Sequence, residues 1–447
     1  MQTSVVKFGG SSLASAQQYK KVADIINADP SRRFVVASAP GKRSSDDIKV
    51  TDMLYKCFAI AAEGGDYEQQ LGLIKDRFTA IADELNIEFD IDSEIDVIRN
   101  QLSANPSAEY MASRGEYLNS KLLALYLGYE FIDAAQVIRF NEDGTLNDSE
   151  TYRILAAAVK RVRNAVIPGF YGAQADGTIR TFSRGGSDVT GAIVAHAVDA
   201  DMYENWTDVS GMLMTDPRIV ENPKPIEFIS YRELRELSYM GATVLHEEAV
   251  FPARTLGIPI NIRNTNRPED PGTMITKAVP PNFANRPITG IAGSTGFSSL
   301  LIEKAMMNLE IGFACTVLEL FKKHGLAFEH MPSGIDTISF VLKTTELDTC
   351  REELLKEIEL ALSPDTLTVD GIRLDVAYCL DYGFLNRLRS FCDSKKADFF
   401  LLGEVLHGEY GRMLNDMNIH SVTNYQCYKG IHSAFNSCNM FEIIHRG

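Results

Sequence analysis

The sequence predicts an α/β protein in which a mostly parallel sheet lies between two layers of helices, followed by a smaller βαββαβ module. Two observations predict this three-layer α/β/α arrangement and its extension. Over about the first 280 residues, strand-like runs that end in glycine or small polar residues alternate with helical patterns. After Ile288 the order changes to strand, helix, two strands joined by a Pro-Ser-Gly turn, helix and strand, which is the ferredoxin-like order.

The composition favours a cytoplasmic protein that binds small molecules. The 447 residues are long enough for about three domains, and 45% of them are apolar. A net charge of −16 argues against nucleic acid as a partner, because a phosphate backbone requires a clustered basic surface. The N-terminus has no signal-peptide pattern, and no apolar run approaches the roughly 18 residues of a membrane span. Seven cysteines without a CxxC pair indicate reduced thiols rather than disulfides or a zinc site.

The first strand–turn–helix unit places a lysine where ligands bind. Residues 3–9 form a predicted strand that ends at Gly9-Gly10-Ser11-Ser12, and a helical pattern follows from Ala14 to Ala28. Lys7 therefore lies at the carboxyl end of a strand, where open α/β sheets bind their ligands. The spacing of a Walker A motif is absent. Two interpretations therefore remain: a turn that binds phosphate, or an ordinary turn beside a surface lysine.

The next units contribute a helix start and an acidic residue. A second predicted strand, 33–42, ends in a small-residue loop, and Thr51 is expected to cap the following helix. Residues 66–108 read as a helical insertion over the sheet. Glu116 is expected in the first turn of a helix that starts near Ser113, where an acidic side chain usually complements the helix dipole.

A glycine pair at residues 185–186 indicates an anion site at a helix N-terminus. Arg184 precedes the pair, Ser187 and Asp188 follow it, and an apolar helical run continues to Ala197. Glycine lets backbone N–H groups approach a ligand, and the first turn of a helix presents unpaired donors. Arg184 provides a planar fork for a carboxylate or a phosphate. Asp188 must then face a cation, an amino group or a metal. The alternative is a tight turn in which Ser187 or Asp188 caps the helix.

The only tryptophan of the chain, Trp206, is followed by Asp208 and two turn signals. A lone tryptophan is most often a core residue, but its polar neighbours are typical of a rim that binds a nucleotide base. Residues 259–266 form another predicted strand with a polar end, and 267–287 read as a proline-rich linker.

Seven segments together resemble the motif series of the aspartate kinases, in the same order and spacing: KFGGSS, SAPGK, SRGEYLNSKLLA, PGFYG, FSRGGSDVTGA, ENWTDVSGMLMTDPRIV and IPINIRNTNRPEDPGT. This resemblance implies an amino-acid kinase fold over residues 1–286 and ATP-dependent phosphorylation of the aspartate side chain, the first step towards lysine, threonine, methionine and isoleucine. The βαββαβ module, 288–369, resembles an ACT regulatory domain. Such domains imply a homodimer and an effector, lysine or threonine.

The resemblance also implies roles for individual residues. Lys7, with the amides of Gly9 and Gly10, would neutralise the transferring phosphoryl group, and Asp188 would orient the reacting groups. Mg²⁺ would bridge the phosphates of ATP with few protein ligands, so we expect no dedicated metal site. Aspartate would contact Thr51, Glu116, Phe170, Arg184 and Ser187, with Glu116 on its α-ammonium and Arg184 on its α-carboxylate. ATP would contact Ser11, Trp206, Thr207, Asp208 and Arg218. The effector would contact Met307, Glu329, Ser333 and Asp336.

Two positions depart from the family pattern. Leu213 stands where the family often has tyrosine, and Thr243 where it often has lysine. These departures leave open a regulatory protein that binds nucleotide without turnover. A kinase acting on glutamate or acetylglutamate is a further alternative.

The C-terminal segment, about 370–447, resembles the middle of an α-amylase (β/α)8 barrel rather than a second ACT domain. The motifs GIRLD and GEV imply Asp375 as nucleophile and Glu404 as general acid of a retaining glycosidase. The segment has about 78 residues, whereas a closed barrel needs about 250. We therefore expect a partial (β/α) segment without catalytic activity, fused to the kinase, and keep a residual glycosidase site as the alternative.

Overall fold

The structure is a computed structural model of the chain. It describes residues 2–183, 185–239, 241, 245, 247–284, 288–369, 371–374, 380–395, 399–403, 418–419 and 421–422. Contacts divide the chain into two compact units, Met1–Gly293 and Ser294–Gly447. The three-domain division, with a further boundary near residue 370, stays a prediction.

The first unit is built on a mixed sheet that is mostly parallel. Within the described residues the sheet has eight strands in the order β10-β12-β11-β7-β1-β2-β4-β3, and only β11 and β12 pair in antiparallel fashion. The strands of this unit are β1 Ser4–Phe8, β2 Arg32–Ala37, β3 Glu130–Phe131, β4 Ala165–Pro168, β5 Tyr171–Ala173, β6 Ile179–Thr181, β7 Met202–Thr207, β8 Met212–Leu213, β9 Pro225–Ile226, β10 Phe228–Ser230, β11 Ile260–Asn264 and β12 Thr273–Thr276.

Helices cover both faces of this sheet. They are α1 Ala16–Asn27, α2 Val50–Ala62, α3 Glu68–Leu85, α4 Ile91–Ala104, α5 Ala108–Leu127, α6 Ala134–Val137, α7 Asp148–Val159, α8 Gly186–Ala197, α9 Tyr231–Tyr239, α10 Glu247–Leu256 and α11 Pro281–Ala284. Alternate residues of β1 point to opposite faces. Val5 packs into one hydrophobic core together with residues of α8, whereas Val6 and Phe8 pack into another with residues of α1, α3 and α5. The three-layer α/β fold predicted from the sequence is confirmed.

The chain reverses its direction of travel across the sheet at β1. This strand pairs in parallel with β2 on one side and with β7 on the other. In open α/β sheets such a switch point opens a crevice at the carboxyl ends of the strands, and ligands bind there. Lys7, near the carboxyl end of β1, therefore lies at the position where the fold itself favours a site.

Three local predictions were wrong in their boundaries. Thr51 is not a cap, because α2 begins at Val50 and its N-cap residue is Lys49. Glu116 is not in a first turn, because Ser107 caps α5 through the Tyr110 N–H and places Glu116 in the middle of a long helix. The proline-rich segment after residue 266 is more than a linker, since it contains β12.

The second unit contains the predicted βαββαβ module. Its strands β13 Phe297–Glu303, β14 Phe328–His330, β15 Thr337–Lys343 and β16 Thr366–Val369 form an antiparallel sheet in the order β14-β15-β13-β16. Its helices are α12 Phe313–His324, α13 Thr344–Leu347 and α14 Arg351–Leu362. Beyond it, β17 Gly371–Leu374, α15 Tyr382–Lys395, β18 Phe400–Gly403 and β19 Ser421–Val422 form a small sheet in which β18 pairs in parallel with both other strands.

Candidate active site

A buried ion pair occupies the switch point of the sheet. Lys7 Nζ lies 2.6 Å from Asp188 Oδ1, and the two side chains are 9% and 16% exposed. Asn205 Nδ2 donates to the same oxygen over 2.9 Å. The requirement that Asp188 face a cation is thus met by Lys7. Asn205 was missed in the sequence, because only the pairing of β1 with β7 shows that it lies beside Lys7.

The glycine turn after β1 offers one amide to a ligand rather than two. The Gly9 N–H donates to the Trp206 carbonyl over 2.9 Å, so the prediction that this amide faces a phosphoryl group is wrong. The Gly10 N–H has no hydrogen-bond partner among the described residues. The Gly10 carbonyl accepts from the Gly41 N–H over 2.8 Å, and a Cβ on Gly10 would lie only 2.8 Å from the Ala39 carbonyl oxygen. Gly10 therefore has to be glycine for the two loops to meet.

The loop that meets Gly10 is held by the helical insertion. Arg77 of α3 is 5% exposed. It donates to the Gly41 carbonyl over 2.6 Å, to the Ala14 carbonyl over 3.3 Å and to the Asp47 carboxylate over 2.7 Å. Hydrogen bonds from Arg43 and then from Arg77 hold the pKa of Asp47 well below its usual range. Through Arg77, the helical insertion therefore stabilises the chain after the glycine turn, at Ala14, and the loop that contacts Gly10, at Gly41.

The N-terminus of α8 has no side-chain cap, so the alternative in which Ser187 or Asp188 serves only as a cap is wrong. Its N-cap residue is Gly185, with φ of +57° in the left-handed region that favours glycine. Ser187 packs so closely on Gly169 that a Cβ there would lie 2.6 Å from the Ser187 Cβ. Phe170 lies against Gly186, and its N–H donates to Thr190 Oγ1 over 3.0 Å. The structure therefore brings Phe170, Ser187 and Asp188 together; Arg184 lies outside the described residues.

Glu116 is a buried carboxyl group without a nearby ion-pair partner in the described part of the chain. It is 6% exposed, and its Oε2 has no hydrogen-bond partner there. Burial raises the pKa of Glu116 to about 8, against the opposing effect of a hydrogen bond from the Ala39 N–H. Such a group is poised to ionise when a cationic ligand arrives. Thr51 lies in the first turn of α2, whose Val50 faces Gly115 beside Glu116.

The Trp206 side chain does not form a rim for a nucleotide base. It is 1% exposed, its Nε1 donates to Glu204 Oε2 over 2.8 Å, and its ring lies 4.6 Å from the Arg263 guanidinium. Alternation along β7 points Glu204 and Trp206 to the face opposite Asn205. The part of Trp206 that lies at the site is its backbone carbonyl, which accepts the hydrogen bond from the Gly9 N–H.

The buried position of Trp206 makes a direct prediction, since it is the only tryptophan in the chain. We expect its fluorescence to be weakly quenched by acrylamide, and saturating ATP to leave the quenching constant unchanged. The measurement is a Stern–Volmer titration with and without nucleotide. Strong quenching that ATP suppresses would restore the rim interpretation.

The other residues predicted for the nucleotide lie at the carboxyl ends of β1 and β7 and beyond. Thr207 Oγ1 donates to Asp208 Oδ1 over 3.2 Å. The Arg218 side chain is 85% exposed and forms an ion pair with Asp216, not with the Lys7–Asp188 pair. Ser11 lies in the short 3-10 turn after Gly9, and its neighbour Ser12 hydrogen-bonds the Thr265 hydroxyl over 2.7 Å.

The residues predicted for the effector belong to the second unit. The Asp336 carboxylate accepts from the Met306 N–H over 2.7 Å, and its carbonyl accepts from Lys304 N–H, so Asp336 anchors the turn before α12. Met307 is 7% exposed in the core of this unit, which leaves its backbone rather than its side chain for a ligand. Glu329 lies in β14, and Ser333 bridges to Ile338 of β15.

No helix among the described residues is long and apolar enough to cross a membrane. In the same part of the chain, no three His, Cys, Asp or Glu side chains are grouped closely enough to hold a metal ion.

The arrangement as a whole suits transfer of an anionic group. Lys7 and the Gly10 amide supply positive potential at the end of β1, and the uncapped N-terminus of α8 adds unpaired donors nearby. Glu116 can accept a cationic group. No side chain needs to form a covalent intermediate, because phosphoryl transfer depends on positioning and charge stabilisation.

Comparison with known proteins identifies the family. Residues 2–264 match the amino acid kinase family. Aspartokinase 3 of Bacillus subtilis is 41% identical over 384 residues, which cover 82% of this chain and 84% of that protein. The aspartate kinase structure from Clostridium acetobutylicum is 49% identical with a TM-score of 0.76, covering 83% of this chain and 84% of the other. Aspartokinase III of Escherichia coli, solved with aspartate and ADP, is 25% identical with a TM-score of 0.64, covering 83% and 85%.

Proposed function

The chain belongs to the amino acid kinase family and, within it, to the aspartokinases, and on this basis we propose how its site phosphorylates aspartate. The reaction converts ATP and L-aspartate to ADP and 4-phospho-L-aspartate. The observation that carries this function is the 41% identity to an aspartokinase along most of both chains. The buried pair of Lys7 and Asp188 at the switch point supports it.

In the proposed mechanism the aspartate β-carboxylate is the nucleophile. One of its oxygens forms a bond to the γ-phosphorus while the bond from that phosphorus to the β,γ-bridging oxygen breaks, and the electron pair leaves with ADP. Lys7 and the Gly10 N–H stabilise the charge on the γ-phosphoryl oxygens. Asp188 holds the Lys7 ammonium at the end of β1 and thereby orients it.

The substrate aspartate is proposed to bind between α5 and the N-terminus of α8. Glu116 receives the α-ammonium group, since among the described residues it is a buried carboxyl group with an unpaired oxygen. Arg184 receives the α-carboxylate through its planar fork. Thr51, Phe170 and Ser187 line the remainder of the pocket.

ATP is proposed to lie along the carboxyl ends of β1 and β7. Ser11, Thr207, Asp208 and Arg218 are the residues offered to it, together with the backbone of Trp206. Mg²⁺ is proposed to accompany ATP on its phosphates, because Mg²⁺ usually keeps several waters and takes only one or two protein carboxylates beside substrate phosphates. Both hydrogen-bond contacts of the Asp188 carboxylate fall on Oδ1, so Oδ2 would be one protein oxygen for the ion. When bound, Mg²⁺ would neutralise charge on the phosphates.

One assay tests the activity and its alternatives. Purified protein is incubated with ATP, Mg²⁺ and aspartate, and the acyl phosphate is trapped with hydroxylamine. Hydroxamate formation with aspartate supports the proposal. Hydroxamate formation with glutamate or acetylglutamate instead would overturn the assignment of aspartate as the substrate. Nucleotide binding without turnover would favour a regulatory protein.

Arg184→Lys tests the assignment of the α-carboxylate. Lysine keeps the charge but loses the fork, so we expect the KM for aspartate to rise at least about tenfold while the KM for ATP changes less than twofold. Steady-state kinetics with each substrate varied in turn measure the difference. An equal rise in both KM values would move Arg184 to the nucleotide.

Regulation by an amino acid is proposed for the βαββαβ module of the second unit. Lysine or threonine would bind around Asp336 and Ser333, and a homodimer formed through this module in the cytoplasm is part of the same proposal. We expect one of the two amino acids to inhibit the wild-type enzyme and to lose at least about tenfold in inhibitory potency when Asp336 is replaced by alanine. Inhibition that is unchanged in Asp336→Ala would remove Asp336 from the effector site.

The α-amylase resemblance of the C-terminal segment stays a prediction. In the described part of this segment β17 and β18 are parallel and pair Leu374 with Gly403, an arrangement found in α/β folds of many kinds. Asp375 and Glu404 come next in the sequence and lie outside the described residues. Release of sugar from maltooligosaccharides by the purified chain would establish a glycosidase activity, and its absence would support a non-catalytic fragment.

A further inference from the structure

Asn205 is placed beside the catalytic lysine by the sheet itself. In the parallel pairing of β1 with β7, Lys7 is the register partner of Asn205. Alternate residues of a strand share a face, so Asn205 shares the α8 side with Tyr203, which packs into the core that contains α8. Asn205 is 5% exposed. A buried amide at this position has to be satisfied within the protein.

The Asn205 amide and the Lys7 ammonium converge on one atom. Both donate to Asp188 Oδ1, over 2.9 Å and 2.6 Å. The backbone around Asp188 is held separately: its carbonyl accepts from the Tyr203 hydroxyl over 3.2 Å, and its N–H donates to the Gly185 carbonyl over 2.8 Å. The direction of the carboxylate is therefore set by Lys7 and Asn205.

The proposed reaction makes a conflicting demand on Lys7. Its ammonium has three donors on a flexible stem, and those donors must turn towards the γ-phosphoryl oxygens as charge develops there. Lys7 is also the ion-pair partner of Asp188 in the described part of the chain. A carboxylate that is only 16% exposed is destabilised when its partner moves away, because a largely buried charge that loses a donor is costly.

We propose that Asn205 is a positioning residue that keeps a donor on Asp188 Oδ1 while Lys7 turns its donors to the phosphoryl group of ATP. Asn205 contacts neither substrate in this arrangement. It lowers the barrier by keeping the buried carboxylate satisfied and fixed in direction throughout transfer. This inference rests on the proposed function of Lys7 and Asp188.

Two substitutions separate the donor from the shape of the side chain. Asn205→Leu keeps the volume and removes the donor. We expect kcat to fall about 10- to 100-fold, in line with the loss of a hydrogen bond to a charged group, and both KM values to stay within about threefold. Asn205→Asp keeps the shape but sets a second carboxyl group against Asp188. We expect a larger fall in kcat at pH 8, partly recovered at pH 6, where a proton shared by the two carboxyl groups restores a donor.

Three ionisable groups face residue 205 and could also cause a pH response in the variants. They are the Lys7 ammonium from β1, the Asp188 carboxylate from α8 and the Tyr203 hydroxyl from β7 itself. All three are present in wild-type protein and in both variants, so a pH response found only in Asn205→Asp belongs to the new carboxyl group.

Thr151→Val is the matched control. Thr151 is a fully buried polar residue of the first unit, and its hydroxyl hydrogen-bonds the N–H and the carbonyl of Arg139, which is not one of the proposed site residues. We expect it to lower the Tm while leaving kcat unchanged. Melting curves of all variants show whether the loss of activity follows the loss of stability.

The outcomes are distinct. A kcat of Asn205→Leu within twofold of wild type, a fall no larger than in Thr151→Val, or an Asn205→Asp pH profile that parallels wild type would each overturn the role of Asn205. Wild-type protein that forms no aspartyl hydroxamate would instead overturn the proposed function, and the inference with it. A selective fall in kcat with partial recovery at low pH supports both.

Discussion

Replacing Lys7 by methionine lowers kcat at least about a thousandfold in our expectation, the largest effect we predict for a single side chain. Methionine keeps the length of the side chain and removes the charge that would stabilise the phosphoryl group. Loss of one preorganised electrostatic contact of this kind typically costs 10²- to 10³-fold in rate, and here the lost group carries a full charge. The measurement is hydroxamate formation at saturating ATP and aspartate.

The same substitution should also destabilise the protein, because it leaves the Asp188 carboxylate without its ion-pair partner. Both side chains of the pair are largely buried, and removing one partner of a buried ion pair costs about 3–5 kcal/mol. The double variant Lys7→Met/Asp188→Asn neutralises the stranded charge, so it should regain much of the lost unfolding free energy without regaining turnover. Recovery of activity along with stability would show that Lys7 acts only as a structural ion pair.

Glu116→Gln is expected to raise the KM for aspartate at least about 30-fold at pH 8, the second large effect. Glutamine keeps the shape of the side chain and cannot carry the negative charge that pairs with an α-ammonium group. Truncating one member of a buried, hydrogen-bonded charge pair costs about 2–5 kcal/mol. The KM for ATP should change less than twofold, which distinguishes a lost substrate contact from general damage to the site.

The pH dependence gives the same residue an independent test. Burial raises the pKa of Glu116 to about 8 in the empty site. Below that pH the carboxyl group is protonated, so binding a cationic amine requires loss of a proton. The KM for aspartate of the wild type should therefore rise as pH falls below about 8, by up to tenfold per pH unit. In Glu116→Gln this dependence should vanish, and the KM values of the two proteins for aspartate should converge towards pH 6. A wild-type KM that is flat between pH 6 and 8 would contradict the assignment.

The sequence indicated where charged side chains would gather, because they stand in short motifs at strand and helix ends. Asp188 after two glycines required a cation, an amino group or a metal as its neighbour, and the fold supplies the Lys7 ammonium. The boundaries of α5 and the strand β12 were harder, since a Ser107 cap and a short strand in a proline-rich segment leave weak signals.

Residues whose role depends on strand pairing could not be predicted in the same way. Trp206 has polar neighbours along the chain, yet strand alternation points it into the core. Asn205, one position earlier, points to the opposite face and reaches Asp188. A shift of one residue in the register of β7 would exchange the two, and a single sequence does not show which register forms.

The central position of β1 also constrains the order in which the protein folds. This strand spans Ser4–Phe8, and one of its two sheet neighbours, β7, begins only at Met202. A nascent chain growing at about 5–20 residues per second therefore carries β1 with one unpaired edge for about 10 seconds or more before β7 is made. An unpaired strand edge is a template for aggregation. The strand that carries Lys7 is thus completed on both edges only after about 160 further residues have followed β2.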